Sequence, residues 1–278
     1  AVLEGLGAAE LDPRGYPDGA AAAAELCRAA GRVVLPYPTV AAVVRGAGDG
    51  LPVAVVADGR YRVDHGDMYP EWRLVTPGGG AWTASPDGPR LGSRLGPFVS
   101  DLTRGHPLDG AVGDAWLALT LTAFWILGVV DHAIELAVSH VRNRIQFGRP
   151  LAAFQSVQFA LADASVAANG LRELAQFTLW RLSAAPGSAR CDVLALRVHA
   201  QQVAGAVLRT AQQLHGAAGV CDEYDISILC RHVQPALRLP AGMQQTTDQL
   251  VRAVDELGFE SLYSHGGEQS HLPTQGAP

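Results

Sequence analysis

Three arginines lie within eight residues between two long apolar segments, in the stretch RNRIQFGRPLAAFQ at residues 142–155. A guanidinium is a planar fork of donors that matches the oxygens of a phosphate. We expect Pro150 near the first turn of the following helix, whose free N–H groups and positive dipole end would also attract an anion. The junction could therefore bind a phosphate-bearing ligand. Taken alone, it favours solvated side chains for Arg142, Arg144 and Arg149.

A second segment, QLHGAAGVCDEY at residues 213–224, contains an amide side chain followed by two closely spaced glycines. Glycine lets a backbone approach a ligand closely, and it also ends helices in a left-handed conformation. Gly216 and Gly219 fit both roles. From these residues alone, the helix-ending role is the favoured interpretation.

The composition indicates a globular protein that does not bind nucleic acid. Hydrophobic residues make up 48% of the 278 positions, which is enough to bury a substantial core. The net charge of −6 and the lack of a basic block argue against a nucleic-acid interface. The four cysteines show no tight metal-binding spacing, so we expect no metal site. No secretory leader pattern is present, which favours the cytoplasm.

The most apolar run is AWLALTLTAFWILGVV at residues 115–130, between Asp114 and Asp131. It is shorter than the ~20 residues that a membrane-spanning helix requires. We therefore predict a helix buried inside a bundle and no membrane association.

The sequence texture divides the chain into four regions that would position these motifs. Residues 1–47 are rich in alanine and predict an abbreviated helical domain. Residues 48–110 alternate short β-branched or aromatic runs with glycine-rich turns, which predicts a reduced β domain. Residues 111–260 predict a helical bundle, and residues 261–278 a flexible tail. Within the bundle, the apolar periodicity predicts helices at about 111–143, 150–184, 188–217 and 242–257.

The two motifs and the order of the regions resemble the acyl-CoA dehydrogenase family. The junction is similar to the family signature R-x-x-F-G-x-x-[IL]-x-x-x-Q, and the second segment is similar to Q-[IL]-x-G-[GA]-x-G. The resemblance implies a mostly α fold with a small β module. It would consist of an N-terminal helical part, a reduced central β domain and a C-terminal four-helix bundle.

The resemblance also implies an FAD cofactor shared with a neighbouring subunit, because family members use the junction arginine and phenylalanine to reach a flavin bound mainly by another chain. Arg144 would be the anchor. The family more often has a second glycine at the position of Ala217. The cofactor-binding residues implied in this way are Arg144, Gln146, Phe147, Leu151, Gln155, Gln213, Gly216 and Ala217.

The catalytic base of the family has no counterpart at either of its two positions. One base position precedes the last helix, where this chain has Pro240. The other lies ~7 helical turns before the junction arginine, near Ala118. Neither residue accepts a proton, so we expect no catalytic residue in this chain. A relocated base is the alternative, with Asp114 as the best candidate and also a good helix N-cap. The other carboxylates considered are Asp131, Glu135, Asp222 and Glu223.

The β region lacks a match to the family's T-E-P-x-x-G-S-D flavin segment. The resemblance therefore implies the shorter, non-base subunit of a heterotetramer of two unlike chains, α2β2, as known from actinobacterial steroid-CoA dehydrogenases. Its partners would be a homologous catalytic subunit, a bulky acyl-CoA substrate and an electron-transfer flavoprotein or similar acceptor. Two alternatives stay open: a self-sufficient flavoenzyme with a relocated base or altered chemistry, and a non-catalytic scaffold without flavin.

Overall fold

The computed structural model describes residues 11–14, 17–45, 50–57, 59, 61–87, 96, 98–110 and 112–258. The predicted tail at 261–278 lies outside the described residues.

Two helices open the described part of the chain: α1 spans Pro17–Arg32 and α2 spans Thr39–Arg45. Alanine is the strongest helix former, and its small side chain allows another helix to approach closely. Ala23, Ala24 and Cys27 of α1 are fully or almost fully buried. The alanine-rich sequence therefore provides both the predicted helix and its packing face.

A five-stranded sheet follows, with β1 at Val53–Val55, β2 at Arg62–Asp64, β3 at Trp72–Val75, β4 at Ala81–Pro86 and β5 at Val99–Leu108. The strand order is β1-β3-β4-β5-β2, in which β1 and β3 are parallel and the other neighbours are antiparallel. This sheet is the small β module that the sequence predicts.

The sheet has its own apolar cluster. Trp72 and Leu74 of β3 are fully buried, and they pack with Ala54, Val56 and Leu102. The Trp72 indole N–H donates to the carbonyl oxygen of Gly66 at 2.8 Å, which satisfies the polar end of this buried ring.

The rest of the described chain is helical. The helices are α3 at Val112–Asn143, α4 at Gln155–Ala184, α5 at Arg190–His215, α6 at Asp225–His232, α7 at Gln234–Arg238 and α8 at Met243–Leu257. A two-stranded hairpin, β6 at Ile145–Gln146 and β7 at Arg149–Pro150, joins α3 to α4. The long helices α3, α4, α5 and α8 form the predicted bundle, which confirms the fold class.

Helix α3 is the central helix of the bundle and packs against α1, α4 and α5. By length and composition it could cross a membrane, but 72% of its most apolar stretch is buried inside the protein. The burial agrees with the prediction of a core helix from residues 115–130.

Helices α1 and α3 cross at a pair of glycines. A Cβ atom added to Gly128 would overlap the carbonyl oxygen of Arg28, and one added to Gly31 would overlap that of Trp125. The two backbones are therefore in direct contact. Beside the crossing, Arg28 pairs with Asp131 at 2.8 Å.

Two details of the predicted helix starts are wrong. Helix α4 begins at Gln155, so Pro150 lies in the hairpin and not in the first turn of the helix. The hairpin replaces that turn because Phe147 and Gly148 adopt left-handed φ angles of 52° and 76°, which reverse the chain. Asp114 is not the N-cap of α3, because the helix already begins at Val112.

Candidate cofactor and substrate site

A mostly apolar cavity of about 150 Å³ lies between the sheet and the helical bundle. Helix α2 and strands β1 and β2 form one side, and the N-terminal half of α3 with α7 and the segment after it form the other. Its lining includes Tyr37, Thr39, Val53, Val55, Arg62, Asp64, Ala118, Leu119, Thr122, Trp125, Pro235, Leu239 and Pro240.

The two positions at which the sequence predicts a missing base meet in this cavity. Ala118 comes from the second turn of α3 and Pro240 from the segment between α7 and α8, and both line the same space. An alanine methyl and a proline ring have no group that binds a proton. These two walls of the cavity are therefore unable to perform proton abstraction.

Sequence reasoning missed Asp64, which is the one carboxylate in the cavity lining among the described residues. It ends β2, and its Oδ2 lies 3.2 Å from Nδ1 of the buried His65. His65 has a left-handed φ of 56°. The available signal was the DH pair that follows the short YRV strand sequence and precedes Gly66.

Four of the five carboxylates considered as relocated bases are held in ion pairs. Asp114 accepts from Arg14 Nε at 3.1 Å and lies 3.8 Å from Arg73 Nε. Asp131 pairs with two arginines, from α1 and α4, at 2.8 Å and 3.1 Å. Glu135 pairs with the last residue of α1 at 2.7 Å, and Asp222 pairs with an arginine of α6. The exposed Glu223 is not among the residues that line the cavity.

A buried arginine holds the segment that carries Pro240. Arg197 of α5 is 2% exposed, and its guanidinium donates to the carbonyl oxygens of Ala236 at 2.5 Å and Leu239 at 2.8 Å. Burial lowers the pKa of Arg197 to about 10. Since this guanidinium joins α5 to the segment after α7, it positions one wall of the cavity.

The predicted cofactor motif forms the hairpin between α3 and α4. The backbone N–H of Leu151 donates to the Arg144 carbonyl at 2.9 Å, which closes the base of the hairpin. At its tip the Phe147 side chain is 89% exposed. The Arg149 guanidinium lies 4.0 Å from the centre of the Phe154 ring, in a cation–π contact.

Arg144 lies in an open groove of about 390 Å³ between the ends of α3 and α5. Within the described residues its guanidinium makes no ion pair. His140 and His215 line the same groove, and their rings stack with centroids 4.3 Å apart. The groove thus joins the junction motif to the second motif, which ends α5.

The rings of His140 and His215 are each held by neighbouring groups of the protein. The pKa of His140 is lowered by burial, and then by the charges of His215 and Arg144. Nδ1 of the buried His215 lies 2.7 Å from the carbonyl oxygen of Ala211, one helical turn back. A hydrogen on Nδ1 satisfies that carbonyl and leaves Nε2 for a ligand. Neither histidine was identified from the sequence, although both lie beside the motif residues.

The glycines of the second motif have separate roles. Gly216 ends α5 with φ 61°, and a Cβ placed on it would meet nothing within 4 Å. Its backbone conformation accounts for the glycine and matches the helix-ending interpretation. A Cβ on Gly219 would lie 2.5 Å from the carbonyl oxygen of Gln212, so this glycine permits a close approach within the protein.

The remaining predicted residues are near the groove in sequence but do not line it. Phe147, Gln155, Gln213 and Ala217 are exposed, and Gln146 and Leu151 are partly buried. The lining of the groove is Leu136, Ser139, His140, Asn143, Arg144 and His215.

Residues 119–253 match the family model described as acyl-CoA dehydrogenase, C-terminal domain. This range contains most of α3 and α8 and everything between them. The domain formed by residues 119–253 belongs to the acyl-CoA dehydrogenase family, as the two motifs within it predict. Members of this family are FAD-dependent flavoproteins.

Curated relatives carry acyl-CoA dehydrogenase names. The chain is 38% identical over 104 residues to the probable acyl-CoA dehydrogenase FadE2 of Mycobacterium tuberculosis, covering 37% of this chain and 26% of the relative. It is 30% identical over 146 residues to acyl-CoA dehydrogenase FadE27 of the same organism, covering 50% and 38%. The matches therefore span well under half the length of these relatives.

Solved structures with this fold include two that are described by paired names. A Tcur3481-Tcur3483 steroid ACAD variant has a TM-score of 0.73 at 21% identity, covering 91% of this chain and 87% of that one. The ChsE4-ChsE5 complex from Mycobacterium tuberculosis has a TM-score of 0.68 at 19% identity, covering 84% and 80%. At these identities the likeness establishes the fold.

The groove at Arg144 fits an anionic part of FAD. It presents an exposed guanidinium, which makes no ion pair within the described residues, beside two imidazole rings. These are donors suited to phosphate oxygens. Arg144, His140 and His215 would therefore hold a phosphate of the cofactor.

Proposed function

We propose that this chain is the non-base subunit of a heteromeric FAD-dependent acyl-CoA dehydrogenase. The observation that carries the proposal is that Ala118 and Pro240, which the sequence resemblance assigns to the two base positions, line one cavity. A homologous partner chain contributes the catalytic Glu and most of the flavin site. This chain contributes the part of the FAD site that acts across the subunit interface.

The proposed reaction is the α,β-dehydrogenation of a bulky acyl-CoA, such as a steroid-derived one. The support is the likeness of the fold to the steroid ACAD pair and the ChsE4-ChsE5 complex. The proposed assembly is α2β2, located in the cytoplasm, with an electron-transfer flavoprotein or similar acceptor. We assign residues 1–47 to the helical domain, 48–110 to the reduced β domain and 111–260 to the bundle.

In this role the residues of the chain bind the cofactor and shape the cavity, and they take no proton from the substrate. FAD, when bound, supplies the acceptor for the hydride that leaves the acyl group. Arg144 anchors a phosphate of the cofactor by a charge-assisted hydrogen bond. Phe147, at the exposed tip of the hairpin, extends toward the partner. Arg197 holds the Pro240 wall in place through backbone carbonyls.

Expression with and without a partner tests the proposal. The chain is produced alone and together with a homologue that carries the catalytic Glu, and flavin absorbance and acyl-CoA oxidation are measured. We expect a colourless single chain, and a yellow, active complex that contains both chains. A yellow, active homomer contradicts the proposal, and a flavin-free chain with every partner supports a non-catalytic scaffold.

A self-sufficient enzyme with a relocated base is the second candidate, and Asp64 is the observation that favours it. This carboxylate lines the cavity that contains Ala118 and Pro240. The Asp64→Asn variant distinguishes the heteromeric subunit from the self-sufficient enzyme. Under the heteromeric proposal, the variant complex keeps most of its turnover. A loss of turnover by a factor of about 100 or more, with assembly and flavin intact, would assign the base to Asp64.

A further inference from the structure

We propose that the cavity between the sheet and the bundle binds a neutral six-membered ring that carries a hydroxyl group, and that Asp64 accepts the hydroxyl hydrogen. Under the proposed function this chain takes no proton from a substrate, so the cavity has no assigned ligand of its own. The inference therefore goes beyond that function, and it involves neither flavin nor turnover.

The volume and the walls of the cavity define the shape of the ligand. The volume is about 150 Å³, and an apolar cavity of about this size is large enough to hold a benzene ring. The walls are mainly aliphatic and aromatic side chains, among them Val53, Val55, Leu119 and Trp125. A single ring therefore fits inside, and burial of its carbon surface favours binding.

The donor groups in the lining are already used by the protein. Arg62 is the one cation that lines the cavity among the described residues, and its Nε donates to Asp101 at 2.7 Å. The Thr122 hydroxyl donates to the Ala118 carbonyl at 2.7 Å. The Tyr37 hydroxyl pairs with a second tyrosine hydroxyl. The cavity therefore has no unpaired cation with which to bind a carboxylate ligand.

Asp64 is the acceptor that these pairings leave available. Its side chain is 32% exposed, and its Oδ2 lies 3.2 Å from Nδ1 of the buried His65. That contact orients the carboxylate, and within the described residues no donor contacts the other oxygen, Oδ1. An ionised carboxylate only accepts hydrogen bonds, so a ligand with an O–H or N–H group is favoured.

The charges beside Asp64 favour a hydroxyl group over an ammonium group. Arg62 and Asp64 are two residues apart on β2, so both side chains lie on the same face of the strand, and both line the cavity. This guanidinium makes a second cation unfavourable. An ammonium group would also lose more hydration than a hydroxyl on entering an apolar space. The class of ligand is therefore a neutral ring alcohol or phenol.

Calorimetry with four small ring compounds tests the site on the isolated chain at about pH 7, where a phenolic hydroxyl is un-ionised. Phenol is the probe, and toluene has the same shape with a methyl group in place of the hydroxyl. We expect phenol to bind on the order of tenfold more tightly, the effect of one hydrogen bond to a charged acceptor. Benzoate and benzylamine should bind more weakly than phenol, because each brings a charge into the cavity.

Two variants test whether Asp64 causes this preference. Asp64→Asn removes the charge of the acceptor, and it should reduce the preference for phenol over toluene to roughly threefold or less. Asp67→Asn is the matched control, because Asp67 is an exposed carboxylate nearby in the chain that does not line the cavity. This control should keep the full ratio.

NMR of the unaltered chain locates the bound phenol without relying on the folding of a variant. Intermolecular NOEs are expected between the ring protons and the methyl groups of Val53, Val55 and Leu119. The inference would be overturned by NOEs to another surface, by equal affinities for phenol and toluene, or by no phenol binding at millimolar concentration. Tighter binding of benzoate or benzylamine, or an unchanged ratio in Asp64→Asn, would also overturn it. A yellow, active homomer would contradict the proposed function and leave these measurements unaffected.

Discussion

At the scale of residues, the three arginines of the junction differ in what surrounds them. Arg149 stacks on Phe154, and Arg142 is an exposed residue in the last turn of α3. Arg144 alone of the three lines the groove with His140 and His215. The sequence motif also predicts Arg144 as the phosphate anchor, and its position in the groove gives a physical reason for that prediction.

The Arg144→Ala variant tests that choice. We expect the assembled complex to lose bound FAD, with roughly a tenfold or greater increase in the dissociation constant, because a charge-assisted phosphate contact is removed. Flavin fluorescence during dilution measures the loss. Arg142→Ala removes a neighbouring charge of the same type and should retain the flavin. Equal retention by both variants would contradict the placement of Arg144.

Asp114 is a second residue for which structure and sequence interpretation can be compared. Asp114 pairs with Arg14 and lies near Arg73, so its carboxylate neutralises two cations. We therefore expect this residue to stabilise the fold and to have no part in catalysis. We expect Asp114→Asn to lower the free energy of unfolding by about 1–2 kcal/mol and to leave the turnover of the complex largely unchanged. Denaturant unfolding and a steady-state assay measure the two effects. Loss of turnover in a complex that still assembles would restore Asp114 as a base.

At the scale of elements, the contact between α1 and α3 determines how the N-terminal helices are placed above the bundle. Gly31 and Gly128 let the two backbones touch, and Arg28 with Asp131 fixes the rotation beside them. Helix α2 follows α1 directly and lines the cavity. The shape of the cavity therefore depends on a helix crossing that lies outside it.

Gly128→Ala should disrupt this crossing. A methyl group at this position overlaps the Arg28 carbonyl, so we expect a loss of about 3 kcal/mol in the free energy of unfolding. Thermal unfolding monitored by circular dichroism measures it. The control is Gly170→Ala on α4, where the added Cβ meets only His199 Nε2 at 3.8 Å. That change should stabilise by about 0.5–1 kcal/mol, and equal losses in both variants would contradict a close crossing.

At the scale of the whole molecule, the exposed hairpin tip is where we expect the partner to bind. Phe147 is a large apolar side chain at 89% exposure, held by a backbone with a left-handed φ of 52°. Both features are unfavourable in an isolated chain, because apolar surface contacts water and the backbone conformation favours glycine. An interface that buries the ring would account for them.

The Phe147→Gly variant should affect the isolated chain and the complex differently. Glycine adopts the left-handed conformation without strain, so the isolated chain should be at least as stable as before. The complex should weaken by about 2 kcal/mol or more, a factor of about 30 in its dissociation constant, because an aromatic anchor is lost. Sedimentation velocity of the co-expressed chains measures the association. An unchanged association constant would contradict an interface at the hairpin.

The sequence by itself determined the long helices and the location of the two motifs. Helix bounds were predicted to within a few residues, because burial of one helix face imposes a 3.6-residue repeat that is visible in the sequence. The start of α4 was the exception. A left-handed turn at Phe147 and Gly148 is a local backbone choice that an apolar pattern does not record.

Only the tertiary structure decided which residues from distant parts of the chain lie next to one another. Ala118 and Pro240 line one cavity because α3 packs beside the segment that Arg197 holds, and Asp64 reaches that cavity from a separate sheet. The stacking of His140 on His215 likewise depends on two helices ending side by side. Such contacts join residues far apart in the chain, and the packing that creates them leaves no periodic signal in the sequence.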